Sequence, residues 1–190
     1  MMVSAGCFSC FSCTSGHRDA CPVRFLLREL RVSVPDYVSA ALSHSIELAI
    51  ENVALGGGPF GAVITSPDGV VATGVNRVTL DLDPTAHAEV CAIRNACREI
   101  GSFDLTGFTL VSSCEPCPLC LAASMWARVG SVFYAADRVD AAAAGFDDAV
   151  FYELMDTPRF SWPSAPTQVN HSHFAAPFDS WRALDSRIEY

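Results

Sequence analysis

Apolar and polar positions follow two periods along this chain, one typical of helices and one typical of strands. From Ser33-Val34-Pro35-Asp36, which has the pattern of a helix capping box, apolar residues recur at helical spacing. The members of this stripe are Val38, Leu42, Ile46, Ala49, Ile50 and Val53. The segment Gly56-Gly57-Gly58-Pro59 ends the predicted helix, because glycine and proline do not continue it.

The next segment has the pattern of a β-hairpin, with a Ser-Pro-Asp-Gly turn between predicted strands at residues 61–65 and 70–75. Helices and strands are then predicted in alternation: helix 86–101, strand 108–112, helix through 128, strand 131–135, a short helix and turn in DAAAAGFDD, and helices near 150–155 and 178–186. Such alternation favours an α/β layered fold, with helices on both faces of one sheet. The initial hairpin makes that sheet mixed.

Composition indicates a globular protein with a small, weakly charged partner. Hydrophobic residues make up 51% of the 190 residues and charged residues 17%, which excludes a disordered chain. No apolar run approaches the roughly 18 residues that span a bilayer. Residues 35–190 carry eight Arg against nineteen acidic residues, a balance that repels a phosphate backbone. We therefore expect neither a membrane span nor a nucleic-acid partner.

Residues 1–34 differ from the rest and are predicted to form an N-terminal extension, disordered and dispensable, ahead of one domain at residues 35–190. The extension carries a cluster of potential metal ligands: Cys7, Cys10, Cys13, His17 and Cys21. A small metal knuckle, a poor transit peptide and an upstream start codon stay open as other interpretations. The first residues lack the positive charge and long apolar core of a signal peptide, so we expect a cytoplasmic location. In a reducing compartment, clustered cysteines indicate metal or catalysis more often than disulfides.

Two short segments carry residues that can bind a catalytic metal. His87-Ala88-Glu89 stands at the start of one predicted helix, and Pro116-Cys117-Pro118-Leu119-Cys120 stands at the start of the next. One His and two Cys supply three protein ligands, the number found in catalytic zinc sites that keep a fourth position for water. A carboxylate beside such a metal, Glu89 here, can move protons between water and substrate. The arrangement H-x-E with P-C-x-x-C resembles the signature of the zinc-dependent nucleobase deaminases.

The neighbouring Cys114 allows a different interpretation, in which it completes a closed, structural four-ligand zinc site. That interpretation leaves Glu89 without a role, so we predict that Cys114 is a small buried residue at a strand end. Cys91 and Cys97, on the helix after His87, are predicted to pack in the core. A zinc-binding interaction module without catalysis stays open as an alternative from another functional class.

The order and spacing of six segments in residues 35–190 resemble the bacterial guanine deaminases of the cytidine-deaminase-like superfamily. These segments are GGPFGAVI, DPTAHAEV, SCEPCPLC, WARVGSVFYAAD, DAAAAGFDD and the closing Glu189-Tyr190. The zinc segments alone fit cytosine, cytidine, adenosine or tRNA deaminases equally well. AGFDD and the terminal Tyr190 are the more specific signals, and Leu119 departs from the Met that is common at its position.

The resemblance implies a three-layer α/β/α sandwich around a five-stranded mixed sheet, and hydrolysis of guanine to xanthine and ammonia. It implies one Zn²⁺ per subunit, held by His87, Cys117 and Cys120, with Glu89 as the proton shuttle. It also implies that Asp148 binds the N–H edge of the purine and relays a second proton.

The same resemblance places Asn76 beside the purine and Phe60 against its ring. It implies a homodimer in which the C-terminal segment, about residues 158–190, is swapped between the subunits. Phe146 and Tyr190 would then close a site to which both subunits contribute.

Several alternatives stay open at this point. Asp148 is also placed to cap the helix near residues 150–155, and Asn76 is also placed to be a turn residue after its strand. A nucleoside deaminase acting on guanosine is the principal alternative enzyme, and it needs a site open enough to admit ribose. A tRNA adenosine deaminase is disfavoured, because the acidic domain offers no track for phosphates.

Overall fold

A mixed sheet forms the middle layer of the part of the chain that the computed structural model describes, residues 34–146 and 148–189. Its strand order is β2-β1-β3-β4, with β1 at Gly61–Ser66, β2 at Gly69–Val75, β3 at Thr109–Cys114 and β4 at Ser131–Ala136. Strand β1 runs antiparallel to β2 and β3, and β4 runs parallel to β3. The carboxyl ends of β2, β3 and β4 therefore share one edge, where ligands bind in open α/β sheets.

Helices cover both faces of this sheet. The described helices are α1 Asp36–Ala54, α2 Val78–Asp81, α3 Ala88–Ile100, α4 Pro118–Trp126, α5 Arg138–Ala143, α6 Ala149–Met155, a 3₁₀ turn at Arg159–Ser161, and α7 Ala176–Ala183. Because side chains alternate along a strand, Val63 of β1 packs with Val38 of α1, whereas the next residue, Ile64, packs with Ala92 of α3. The predicted three-layer α/β/α class is confirmed.

The strand count differs from the one that the resemblance implied. The described residues contain four strands, not five, and these four are the ones that the apolar pattern predicts. After β4 the chain forms α5 and α6, and the following segment carries Pro158, Pro163 and Pro166. Proline has no backbone N–H for a strand ladder, so this segment adds no strand to the described sheet.

The buried face of α1 is rotated away from the predicted apolar stripe. Its buried residues are Val38, Ala41, Ser45, Ala49 and Asn52. Ile46, Ile50 and Val53 of the predicted stripe are exposed instead. The stripe predicts the helix but does not coincide with its buried face, because small and polar side chains, which allow close approach to the sheet, occupy the inner face. The helix consequently presents an apolar ridge outward.

The start of α1 also differs from its prediction. The helix begins at Asp36 with Pro35 as its N-cap residue, and no side chain caps it. The predicted N-terminal extension and its cysteine cluster fall on residues 1–33, outside the described residues. None of the described helices is long and apolar enough to cross a membrane.

Gly74 of β2 lies in close contact with α3, the helix that carries Glu89. A Cβ atom at this position would lie 2.3 Å from the carbonyl oxygen of Ala88 and 2.3 Å from the amide nitrogen of Ala92. We expect Gly74→Ala to lower the free energy of unfolding by about 1–3 kcal/mol, because backbone atoms have to move apart. Denaturant unfolding measures this change. Gly130→Ala, whose nearest contact is 3.3 Å, is the control, and equal losses in both variants would contradict the prediction.

Candidate active site

The predicted metal ligands lie at the carboxyl edge of the sheet, where two helices begin. His87 is the N-cap residue of α3, and Cys117 is the N-cap residue of α4. Pro118 occupies the first turn of α4, where its fixed φ suits a helix start. Cys120 follows one turn later and is fully buried. The local sequence therefore places one imidazole and two thiols at the same point.

The three ligand atoms have the spacing of a tetrahedral zinc site. His87 Nδ1 lies 3.5 Å from Sγ of Cys117 and 3.5 Å from Sγ of Cys120, and the two Sγ atoms lie 3.6 Å apart. With Zn–S distances of about 2.3 Å and a Zn–N distance of about 2.0 Å, tetrahedral ligand atoms lie roughly 3.5–3.8 Å from one another. The residues therefore fit a zinc ion without rearrangement.

The other cysteines lie outside this group. Among the described residues, His87, Cys117 and Cys120 are the one set of three or more side chains that could hold a metal ion. Cys114 is buried at the end of β3, as predicted, and its Sγ lies 3.8 Å from the carbonyl oxygen of Asp137. The geometry thus favours three protein ligands and an open fourth position over a closed four-ligand site.

Hydrogen bonds within the group of His87, Cys117 and Cys120 shift the pKa values of these three side chains. The hydrogen bond between the side chains of Cys117 and Cys120 is the largest cause that lowers the pKa of Cys117. The same hydrogen bond, together with burial, raises the pKa of Cys120. The hydrogen bond between His87 and Cys117 raises the pKa of the imidazole. Cysteine binds metal as the thiolate, so metal binding releases these shared protons.

Glu89 lies beside the ligand group on the first turn of α3, with only 6% of its surface exposed. The hydroxyl of Ser112 donates to Oε1 of Glu89 at 3.1 Å, and the Cys120 thiol donates to Oε2 at 3.3 Å. Burial is the largest cause that raises the pKa of Glu89. A carboxyl group with a raised pKa, held at the edge of a metal site, suits general acid and base catalysis. The serine contact is one that the sequence did not predict.

A cavity of about 670 Å³ opens beside Glu89 and the ligand group. The glycine loop, residues 56–58, lines one part of it, and Phe60 and Phe146 line another. The centroids of these two rings lie 4.9 Å apart with an interplanar angle of 84°. Phe146, which the resemblance places at a site shared between subunits, contacts Phe60 of its own chain, and the shared site stays a prediction. The predicted Tyr190 lies outside the described residues.

Asn76 is buried at the end of β2 and lines the cavity. Its Oδ1 accepts a hydrogen bond from the backbone N–H of Val78 at 3.2 Å, which is the contact expected of a turn residue. The amide NH₂ belongs to the same side chain and is a donor. The turn and the substrate-binding interpretations of Asn76 are therefore compatible.

Asp148 lines the cavity together with His87 and Glu89. It precedes α6, but its side chain makes no capping hydrogen bond, so the helix-cap interpretation is wrong. Partial burial is the largest cause that raises the pKa of Asp148, followed by the charge of Cys117. The carboxylate is therefore available as a hydrogen-bond acceptor for a ligand.

A charged brace that the sequence did not predict supports this side of the cavity. Arg138 forms an ion pair with Glu115, and the Arg138 guanidinium lies 3.8 Å from the centroid of the Tyr152 ring. The Tyr152 hydroxyl donates to the carbonyl oxygen of Pro116 at 2.8 Å. The brace thus connects α5 and α6, on either side of Asp148, to the segment that begins α4. Arg138 holds the pKa of Glu115 below its usual range.

Comparison with protein families agrees with this arrangement. Residues 37–136 match the family described as the cytidine and deoxycytidylate deaminase zinc-binding region. The match covers more than half of the chain and includes all three ligands and Glu89. The chain belongs to this family. Its members bind zinc, and the His87, Cys117 and Cys120 group fits that cofactor.

Individual members of the family differ in how far the similarity extends. The guanine deaminase of Bacillus subtilis (strain 168) is 47% identical over 150 residues, which span 78% of this chain and 96% of that protein. The X-ray structure of guanine deaminase from Bacillus subtilis has a TM-score of 0.76 at 46% identity, and the match covers 80% of this chain and 98% of that one.

Two more distant matches complete the comparison. A structure of guanine deaminase from Nitrosomonas europaea has a TM-score of 0.55 at 31% identity, covering 63% of this chain and 76% of that one. The tRNA-specific adenosine deaminase of Haemophilus influenzae is 34% identical over 113 residues, covering 56% of this chain and 65% of that protein.

Proposed function

We propose that this chain is a zinc-dependent guanine deaminase, which hydrolyses guanine to xanthine and ammonia in the cytoplasm as a step of purine breakdown. The observation that carries the proposal is the pairing of the buried Glu89, beside three metal ligands, with the uncapped carboxylate of Asp148 in one cavity. The similarity over nearly the whole length of one guanine deaminase supports this choice within the family.

The reaction replaces the 2-amino group of guanine by oxygen. His87, Cys117 and Cys120 would hold the zinc ion, which when bound would act as a Lewis acid and lower the pKa of water toward neutrality. Glu89 accepts a proton from the water that adds to C2 and passes this proton to a ring nitrogen. Glu89 then carries the second water proton to the amino group, a transfer in which the resemblance also implies a relay by Asp148. The amino group leaves as ammonia while C2 becomes a carbonyl. The burial that raises the pKa of Glu89 favours this return of protons.

Asp148, Asn76 and Phe60 orient the base. Guanine presents N–H donors at N1 and at the 2-amino group, which a carboxylate such as Asp148 accepts. The Asn76 amide supplies a donor to the purine acceptors, while its Oδ1 is held by Val78. The ring of Phe60, supported edge to face by Phe146, offers an apolar wall to the heterocycle.

Asp148→Asn is expected to lower kcat/KM for guanine by roughly 10- to 150-fold, because a hydrogen bond to a charged group contributes about 1.5–3 kcal/mol. The free energy of unfolding should stay near that of the unmodified chain, since Asp148 makes no cap bond. Asp137 is a matched control, because its side chain does cap α5. Asp137→Ala should cost about 1 kcal/mol of stability with little loss of activity. If Asp148→Asn lowered mainly stability and Asp137→Ala lowered mainly activity, the assignment of Asp148 to substrate binding would be contradicted.

We also propose a homodimer that exchanges C-terminal segments. The outer ridge of α1 and α5 lines an apolar groove of about 420 Å³ that adjoins the cavity at Phe60 and Phe146. In the C-terminal segment, large apolar side chains are exposed, including Phe160, Phe174, Phe178, Trp181 and Ile188. Burial of both surfaces against a second copy would remove this apolar area from water.

Mixing two inactive variants tests the exchange. In a swapped dimer of one Glu89→Ala chain and one Tyr190→Ala chain, one site is intact. The Tyr190→Ala chain supplies its Glu89, and the Glu89→Ala chain supplies its Tyr190. We expect activity to return in the mixture and light scattering to give the mass of a dimer. Two variants that stay inactive after refolding together, or a monomeric mass, would contradict the swapped dimer while leaving the chemistry untouched.

Guanosine deamination is the principal alternative, and a substrate panel separates the two. The cavity that the described residues form is large enough for more than a purine base. The swapped C-terminal segment of the partner would narrow this cavity. We expect kcat/KM for guanine to exceed that for guanosine by at least about 100-fold, because a closed pocket excludes ribose. Ammonia release from guanine, guanosine, adenine, adenosine, cytosine and cytidine measures this. If guanosine is deaminated faster than guanine, then guanosine and not guanine is the substrate.

A further inference from the structure

Asn52 is a buried polar residue on the inner face of α1, and the proposed chemistry does not use it. Only 3% of its surface is exposed, and it follows the buried residues Ala41, Ser45 and Ala49 along the same face. A buried amide is costly unless its hydrogen bonds are made, so its partners indicate why it occupies this position.

The Asn52 amide connects two segments that line the cavity. Its Nδ2 donates to the carbonyl oxygen of Gly58 at 2.8 Å and to the carbonyl oxygen of Asn76 at 2.7 Å. These two bonds use both hydrogens of the NH₂ group. The backbone carbonyl of Asn52 also accepts from the N–H of Gly57 at 2.9 Å. One residue therefore joins the end of α1, the glycine loop and the end of β2.

This connection stands where the sheet ends. The ladder between β1 and β2 begins at Gly61 and Val75, and the next bond runs from the N–H of Asn76 to the carbonyl oxygen of Phe60 at 3.0 Å. Beyond that point the two segments pass around the cavity, and the Asn52 amide supplies the donors that a continued strand would supply. The Asn52 side chain thus links the glycine loop to Asn76 beyond the last backbone bond of the ladder.

Close packing around the amide makes that link rigid. A Cβ atom added at Gly57 would lie 2.3 Å from Nδ2 of Asn52, and one added at Gly58 would lie 2.9 Å from Oδ1 of Asn76. The loop therefore approaches both amides more closely than any other residue type allows. A loss of the Asn52 bonds would free Gly58 and Asn76 to move together.

We propose that Asn52 is a positioning residue that fixes Asn76 against the glycine loop, at the wall of the cavity where the purine binds. The inference rests on the proposed function for the identity of the ligand, but the contacts that carry it are independent of that function. Asn52 does not touch the reacting atoms in this account, so it acts on substrate binding and not on the proton transfers of Glu89.

Kinetic measurements on zinc-loaded Asn52→Ala and Asn52→Asp separate this role from a purely structural one. We expect KM for guanine to rise at least about tenfold in both, with kcat changed by less than about threefold, because uniform binding is lost. Asn52→Asp keeps the shape of the side chain but places a carboxylate oxygen, which cannot donate, against the two carbonyl oxygens. The rise in KM should therefore be at least as large as in Asn52→Ala. Ser45→Ala is the matched control, since Ser45 is buried in the same helix and bonds only within it, to Leu42.

A double-mutant cycle tests whether Asn52 acts through Asn76. Asn52→Ala should raise KM by less than about twofold in an Asn76→Ala background, because neighbouring residues that act together are not additive. An independent tenfold effect in that background would overturn the inference. Equal KM values in Asn52→Ala and Ser45→Ala would also overturn it, even where both variants lose stability.

Hydrogen exchange in the absence of substrate keeps the inference apart from the proposed function. The backbone amides of Phe60 and Asn76 should exchange at least about tenfold faster in Asn52→Ala than in Ser45→Ala. Unchanged exchange would overturn the positioning role whatever the substrate is. If the unmodified chain does not act on guanine, the proposed function fails, and the exchange rates alone decide whether Asn52 holds the loop.

Discussion

Replacing Glu89 with Gln is expected to lower kcat for guanine by about 10²–10⁴-fold, the range that acid and base catalysis contributes. Gln keeps the volume of the side chain and can still accept from Ser112, but it cannot take a proton from water at neutral pH. The loss should therefore lie in kcat, with the zinc content of the protein unchanged. Steady-state kinetics and metal analysis of the purified variant measure both quantities.

Glu99→Gln provides the matched control for this prediction. Glu99 lies on the same helix, α3, but its side chain is exposed and is not among the residues that line the cavity. The control should retain full activity, since neither the site nor the core changes. A Glu89→Gln variant that keeps its zinc and turns guanine over within about threefold of the unmodified rate would remove Glu89 from the proton transfers.

Cys117→Ala is expected to abolish both zinc binding and turnover. The change leaves two ligand atoms of the three, and catalytic zinc sites use three protein ligands. Without the metal, water near C2 keeps its ordinary high pKa, so Glu89 alone cannot generate a nucleophile. Chelation of zinc from the unmodified chain should likewise stop the reaction, and added zinc should restore it. Metal analysis and ammonia release follow these changes.

Cys114→Ala is the control within the same short segment. Its Sγ faces the carbonyl oxygen of Asp137 and is not part of the ligand group, so zinc content should stay unchanged. Removal of this buried sulfur costs only stability. If Cys114→Ala lost zinc as completely as Cys117→Ala, the site would be a closed one with four protein ligands, and the open position for water would be lost.

The metal centre was predictable from sequence because its geometry is local. His87 and Glu89 lie two residues apart at the start of α3, and Cys117 and Cys120 lie three apart at the start of α4. Helix geometry alone fixes the members of each pair. The sheet then joins the two pairs, since parallel strands end at one edge. Asp148 comes from a loop outside these segments, and only the resemblance to a family indicated it.

Residues that act through distant partners could not be predicted in the same way. Asn52 bonds to Asn76 at a separation of 24 residues, and Ser112 bonds to Glu89 at a separation of 23. No local spacing marks either pair. One signal was present for Asn52, because a polar residue lies on the face that α1 buries. The apolar stripe, which includes the exposed Ile50, does not coincide with that face.

The segment after Pro158 gave the weakest predictions, for a physical reason. Its prolines and scattered aromatic residues have neither helical nor strand period, so the pattern indicates only α7, which the structure has at Ala176–Ala183. A segment that packs mainly against another subunit need not bury a face on its own chain. Exposed side chains such as Phe160, at 85%, are consistent with that proposal.

The central claim, zinc-dependent hydrolysis of guanine, is tested most directly by incubating the zinc-loaded protein with guanine in heavy-oxygen water and analysing the products by mass spectrometry. The account predicts xanthine and ammonia in equal amounts, with one heavy oxygen at C2 of xanthine, and no product with Glu89→Gln. Guanine that remains unchanged, or product formation that is as fast in Glu89→Gln, would contradict it.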